Sequence, residues 1–167
     1  AEAAFAEAER RIKVALAEQA TELDLSKLGL VTVPVAIRQL QNLRNLSLRQ
    51  NRLTVVPKEL CWLQNLEELS LTSNHLTTIP ATISRLQNLA ELYLYKNQLT
   101  VVPKELGKLQ NLTVLSLFEN QLTVVPKELG NLQSLTRLYL YQNRLTRVPK
   151  ELSQLQNLKV LDISKNQ

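Results

Sequence analysis

One 23-residue pattern, LxxLxLxxNxLTxxPxxLxxLQN, runs from Ala20 to the end of this 167-residue chain. Its units begin at Ala20, Leu43, Leu66, Leu89, Leu112, Leu135 and Leu158, and the last stops after ten residues. A unit this short cannot enclose a core by itself. The units must therefore stack and share one, which excludes most folds before any other feature is read. The 37 leucines are the same few positions used again and again.

Each part of the unit has a physical task. The segment LxxLxL alternates, so leucines point one way and variable residues the other, as a strand requires. Asn at position 9 (Asn51, Asn74, Asn97, Asn120, Asn143, Asn166) falls where the backbone must turn. Its amide carries both donors and an acceptor for backbone groups of its own and the adjacent coil. Pro at position 15 (Pro34, Pro57, Pro80, Pro103, Pro126, Pro149) has a fixed φ that suits the first turn of a short helical segment. The following xxLxxL turns its leucines inward.

With these motifs the chain resembles leucine-rich repeat (LRR) proteins, specifically the bacterial 23-residue type; LAELYLYKNQLTVVPKELGKLQN (Leu89 to Asn111) is a representative unit. The lead-in AEAERRIKVALAEQATELDLSKLGLVTVP is similar to that of bacterial LRR arrays, including arrays attached to Roco-type GTPases. The resemblance implies an α/β solenoid, a right-handed horseshoe or arc. It places a parallel β-sheet on the concave face and short helical or 3₁₀ segments on the convex face. It also implies recognition of a protein or peptide on the concave face. The expected organisation is a capping helix at 1–19, six repeats (20–42, 43–65, 66–88, 89–111, 112–134, 135–157) and a partial seventh at 158–167.

The two ends differ. Phe5, Ala8, Ile12, Ala15 and Leu16 recur at helical spacing, so residues 1–19 are expected to lay an amphipathic helix over the first coil. Four acidic and three basic residues in that segment argue against a basic membrane anchor. Leu28 replaces the first unit's Asn, as suits an atypical terminal repeat. The last unit has no such cover. Its strand edge and leucines are expected to be followed by more protein or to support self-association.

Several functional classes find no support. No run approaches the roughly 18 apolar residues of a membrane span. One cysteine cannot form an internal disulfide or a thiolate metal cluster. Cys61 belongs to the convex segment and His75 to the concave rim, so they form no nucleophile–base pair, and structural or surface roles are expected for both. Glu67 and Glu68 are neighbours in sequence, not carboxylates converging on a cleft. No phosphate-binding glycine motif occurs among three glycines. The expectation is a non-enzymatic chain with no catalytic residue, cofactor or metal.

The net charge of +5 also disperses. Concave positions carry nine basic and seven acidic side chains, a mixed surface without the charged track that nucleic acid needs. Arg44, Arg49 and Arg52 lie beside Glu67, Glu68 and Glu91, where partner contacts and cross-strand pairing are both open readings.

The aromatics are concentrated. Tyr93, Tyr95, Phe118, Tyr139 and Tyr141 all occupy positions 5 and 7 of three consecutive units. Tyr95, Phe118 and Tyr141 are expected to form a row, with Tyr93 and Tyr139 flanking Ser116 beside it. They lie outside the leucine core, and exposed aromatics of this kind mark interaction surfaces, although mutual packing would also explain them. The leading reading is a protein-interaction module. It clasps its partner with Tyr93, Tyr95, Phe118, Tyr139 and Tyr141, flanked by Arg44, Arg49, Glu68, Glu91 and Arg137. The alternatives are a carbohydrate-binding surface, a sensory or targeting segment of a larger GTPase or bacterial effector, and an engineered consensus array. The absence of Cys-rich caps makes a reducing cytoplasm the expected location, with an exported bacterial protein trimmed of its signal as the alternative.

Overall fold

The structure, a computed structural model, describes residues 1–167. Helix α1 (Glu2–Ala17) precedes seven three-residue strands: β1 (Glu22–Asp24), β2 (Asn45–Ser47), β3 (Glu68–Ser70), β4 (Glu91–Tyr93), β5 (Val114–Ser116), β6 (Arg137–Tyr139) and β7 (Val160–Asp162). They form one parallel sheet in chain order, each in register with its neighbour one unit on. Six 3₁₀ segments line the opposite side: Val35–Gln39, Lys58–Trp62, Ala81–Arg85, Lys104–Lys108, Lys127–Asn131 and Lys150–Gln154. The result is a solenoid with a continuous leucine-rich core between the two sides.

The pattern explains this local structure, with two refinements. Each Pro sits one residue before its 3₁₀ segment in extended geometry, as with Pro57 (φ −58, ψ 128), and not inside the first turn. The turn after each strand is made one position earlier than the asparagines suggest. Position 8 carries the positive φ in every unit, at Lys27, Gln50, Ser73, Lys96, Glu119, Gln142 and Lys165. Left-handed geometry costs an ordinary residue about 1–2 kcal/mol, so the surroundings must impose it.

In every unit but the first the next residue is an asparagine that fixes the turn, whereas Lys27, followed by Leu28, is held by its own N–H, which donates to the Arg49 carbonyl. Asn97 is typical: its Nδ2 donates to the carbonyls of Leu94 in its own coil and Leu71 in the preceding coil, and its Oδ1 accepts from the Leu76 amide. The same arrangement recurs from Asn51 to Asn166. Every asparagine thus reaches back to the coil before it. The first coil has none before it, which accounts for Leu28 at its Asn position.

Helix α1 covers the first coil through Ala8, Ile12 and Ala15, which are buried. Phe5 and Leu16 do not join them, contrary to their helical spacing. Phe5 is at the edge of exposure and Leu16 faces solvent, because the small residues Ala8 and Ala15 bring the helix axis close and leave the larger side chains outside the contact. At the other end Val160, Leu161 and Ile163 are exposed. On the 3₁₀ side, a Cβ added at Gly107 or Gly130 would collide with the backbone carbonyl of Glu128 or Glu151 in the next coil. Close approach there requires glycine.

Candidate functional site

Alternation places positions 3, 5 and 7 of each unit on the outer face of the sheet, while the leucines between them fill the core. Strand spacing of about 4.8 Å then becomes the spacing of any side-chain row across the units. Aromatic rings stack at nearly that distance. Tyr95 and Phe118 lie 4.2 Å apart between centroids with planes 11° apart, and Phe118 and Tyr141 lie 4.4 Å and 9° apart. Tyr139 meets Phe118 edge-on at 6.5 Å. The row expected from spacing is therefore a three-ring ladder with its faces closed against one another and its edges toward solvent.

In the parallel row, Tyr93 and Tyr139 flank Ser116 in register. Ser116 is buried beside them, and its Oγ has no hydrogen-bond partner. Tyr93 donates its hydroxyl to a Glu91 oxygen at 3.3 Å. Burial, followed by the charges of Glu91 and Glu68, pushes the Tyr93 hydroxyl up to about 12, so it stays un-ionised and remains a donor. All five aromatics are half-buried. Much of that cover is mutual.

On the N-terminal side of the ladder the same face sinks into a groove of about 680 Å³. Glu22, Asp24, Asn45, Arg49, Glu68 and Ser70 line it, and Tyr93 and Tyr95 form the wall shared with the ladder. Hydrogen bonds from Ser26 hold the Asp24 carboxylate below its usual range. Glu68 is shifted the opposite way, first by burial and then by Glu91 and Glu22.

The expected residues thus divide into two neighbouring zones. Tyr95, Phe118 and Tyr141 stack, with Tyr139 at their edge, while Tyr93, Glu68 and Arg49 belong to the groove and Glu91 stands beside Glu68. Arg44 is drawn instead into an exposed ion pair with Glu67 of the next unit, at 3.7 Å. Such a pair stabilises by well under 1 kcal/mol. Arg137 is exposed on β6, across from Val114 and Val160, away from the groove. His75 is exposed on the sheet rim, whereas Cys61 is buried on the 3₁₀ side with Sγ 3.5 Å from Thr82 Oγ1. Burial pushes the Cys61 thiol up, which suits a packing role.

Two features escaped the sequence reading. One is on the 3₁₀ side, where the guanidiniums of Arg38 and Arg85 lie 5.2 Å and 4.4 Å from the Trp62 ring centroid. The groove is the other. Its carboxylates, Glu22, Asp24 and Glu68, belong to the first and third units, and only their outward-facing positions 3 and 5 in the repeat could have signalled that they share a surface. No three His, Cys, Asp or Glu side chains gather to hold a metal ion, and no helix is long and apolar enough to cross a membrane.

Stacked coils with a parallel sheet on one side and 3₁₀ segments on the other define a repeat solenoid with an open side-chain surface. The chain belongs to the leucine-rich repeat family: a profile described as a leucine-rich repeat region matches residues 22–141, and one for two leucine-rich repeat copies matches residues 133–167. Among solved structures it is similar to a Leptospira interrogans LRR protein, with 36% identity and a TM-score of 0.58 over 93% of this chain and 58% of that one. The Arabidopsis thaliana receptor kinase GASSHO1/SCHENGEN3 is also similar. Its LRR ectodomain, in complex with Casparian strip integrity factor 2, gives 32% identity and a TM-score of 0.73 over 81% of this chain and 17% of that one. The plant peptide hormone receptor RGFR1, in complex with RGF2, gives 30% identity and a TM-score of 0.71 over 81% and 22%. The chain therefore spans little more than half of the bacterial relative and about a fifth of each receptor. No curated protein sequence matches it. The bacterial-type LRR arc is the class to which its repeats belong, and proteins of this class serve as interaction modules.

Proposed function

We propose that the chain binds an extended protein or peptide segment across its concave sheet, anchored on the Tyr95–Phe118–Tyr141 ladder. The observation that carries this reading is the ladder itself. Its three rings are held parallel by strands whose positions the core and the asparagines determine. A partner would meet side chains already ordered, so little conformational entropy is lost on binding. The similarity to RGFR1, a peptide hormone receptor solved with RGF2, is consistent with this use of the fold. Stacking on sugar rings is less favoured, because Phe118 has a neighbour against each face and only the outer faces of Tyr95 and Tyr141 remain. Arg44, Arg49, Glu68, Glu91 and Arg137 would supply the polar rim.

Affinity capture with the wild-type chain and a Tyr95→Ala/Tyr141→Ala variant tests the proposal. Truncating two interface anchors costs about 2 kcal/mol or more each where they act as hot spots, enough to empty the captured fraction. Partners held by wild type should be lost by a variant that still unfolds cooperatively, since the leucine core is untouched. An identical captured set would refute the proposal.

A further inference from the structure

The repeat changes character at one place on its 3₁₀ side. Position 20 closes each 3₁₀ segment. It carries Gln39, Asn131 and Gln154 in three coils, but Trp62, Arg85 and Lys108 in the three between. The Trp62 indole is 41% exposed, and the guanidiniums of Arg38 and Arg85 stand 5.2 Å and 4.4 Å from its ring centroid. One arginine comes from the coil before Trp62 and the other from the coil after, so they cover opposite faces of the ring. Their charges are held two coils apart, roughly 10 Å at the strand spacing.

No carboxylate of the chain neutralises these two guanidiniums. The ion pairs of the molecule are Glu7 with Arg10 and Arg11 in α1, and Arg44 with Glu67. By count, Lys58 and Lys104 are matched by Glu59 and Glu105 in their own 3₁₀ segments. Arg38, Arg85 and Lys108 are then the positive excess on this side of the first four coils.

Stacking also decides what the cluster can bind. With both faces covered, the indole offers no platform for a sugar ring or a nucleobase, which removes the contact that single-stranded nucleic acid relies on. The edges remain. The only guanidiniums that donate a hydrogen bond within the chain are those of Arg10 and Arg11, so the donors of Arg38 and Arg85 are unused. A guanidinium fork matches a carboxylate with two parallel bonds, and Trp and Arg are the residue types that dominate binding hot spots.

We propose that the Arg38–Trp62–Arg85 cluster is a second docking site, on the side opposite the ladder, and that it takes an acidic segment of a partner protein. Each guanidinium receives one carboxylate, the exposed indole edge lies against the segment between them, and Lys108 in the next coil extends the positive surface. The ring holds the forks in place beforehand, so binding orders little. The cluster shares no residue with the ladder, and the inference does not rest on the ladder's function.

Fluorescence anisotropy with labelled hexaglutamate, and with hexaglutamine as its neutral counterpart, tests the site on wild type and variants. Arg38→Lys/Arg85→Lys keeps the charge and removes the planar forks. Trp62→Leu keeps both arginines and removes the ring that holds them. Lys127→Gln/Lys150→Gln lowers the charge of the same side without touching the cluster. All five replaced side chains are exposed, and cooperative thermal unfolding of each variant shows that a loss of binding is not a loss of fold. Wild type should prefer hexaglutamate. That binding should weaken about tenfold in the arginine variant, several-fold in Trp62→Leu and less than about twofold in the lysine variant. It should be unchanged in Tyr95→Ala/Tyr141→Ala. Equal losses in the lysine and arginine variants would reveal diffuse attraction and overturn the site. Wild-type binding that does not distinguish the two peptides, or arginine and tryptophan variants that bind like wild type, would overturn it as well. Oligothymidylate bound through the same residues in preference to hexaglutamate would assign the cluster to nucleic acid and equally overturn the proposal.

Discussion

Replacing Asn97 with Ala isolates the interaction that ties the coils together. Asn97 is 8% exposed, and its amide makes three bonds of 3.0 Å: from the Leu76 amide, and to the Leu71 and Leu94 carbonyls. The losses are unequal. Leu71 retains a donor in Asn74, and Leu94 retains one in Asn120. The Leu76 amide has no other acceptor. One orphaned buried N–H costs about 1–3 kcal/mol and each lost bond about 0.5–1.5, so the variant should lose about 4 kcal/mol. Asn166 makes the corresponding bonds to Leu145 and Leu140 in the last coil, where it is only partly buried. Water can replace them there, and Asn166→Ala should lose only about 1 kcal/mol. Urea unfolding followed by circular dichroism measures both. Equal losses, or less than about 1 kcal/mol at Asn97, would refute the account in which burial decides the penalty.

Two further outcomes follow from the same structure. Gly107→Ala forces a Cβ into the Glu128 carbonyl and should destabilise by about 1–3 kcal/mol, whereas Ser84→Ala at the equivalent position of an earlier coil should stay within about 0.5; thermal unfolding of the pair checks this. Glu68 is shifted upward on folding, by burial first and then by Glu91 and Glu22. Its ionisation therefore opposes folding: the penalty is absent below the unfolded carboxylate value and complete above the folded one. Glu68→Gln should raise the thermal midpoint at pH 7, with the gap closing as the pH falls through the carboxylate range, and a wild type more stable than the variant at pH 7 would contradict this.

The extent to which function was legible varied along the chain. Tyr95, Phe118 and Tyr141 were readable as a row because a repeat converts equal positions into spatial neighbours. Arg44 and Arg49 looked alike in that reading, yet one is taken up by Glu67 and the other borders a groove. That difference depends on side-chain reach across strands, which spacing does not specify. Trp62 meets Arg38 and Arg85, which are over twenty residues away on either side, so nothing local in the sequence pairs them. Periodicity places Phe5 and Leu16 on the helix's buried face, but the small Ala8 and Ala15 determine how the helix sits.

By itself, the sequence determined the stacked coils, the parallel sheet and the inward leucines, because a 23-residue unit has no other way to bury its apolar side. It also determined which variable residues share a face. Only the tertiary structure decided that each asparagine reaches back to the preceding coil, that the rings close into a ladder, and that Glu22, Asp24 and Glu68 open onto one groove. These depend on distances between units, and the distances are set by backbone packing across the whole array and are not contained in any one repeat.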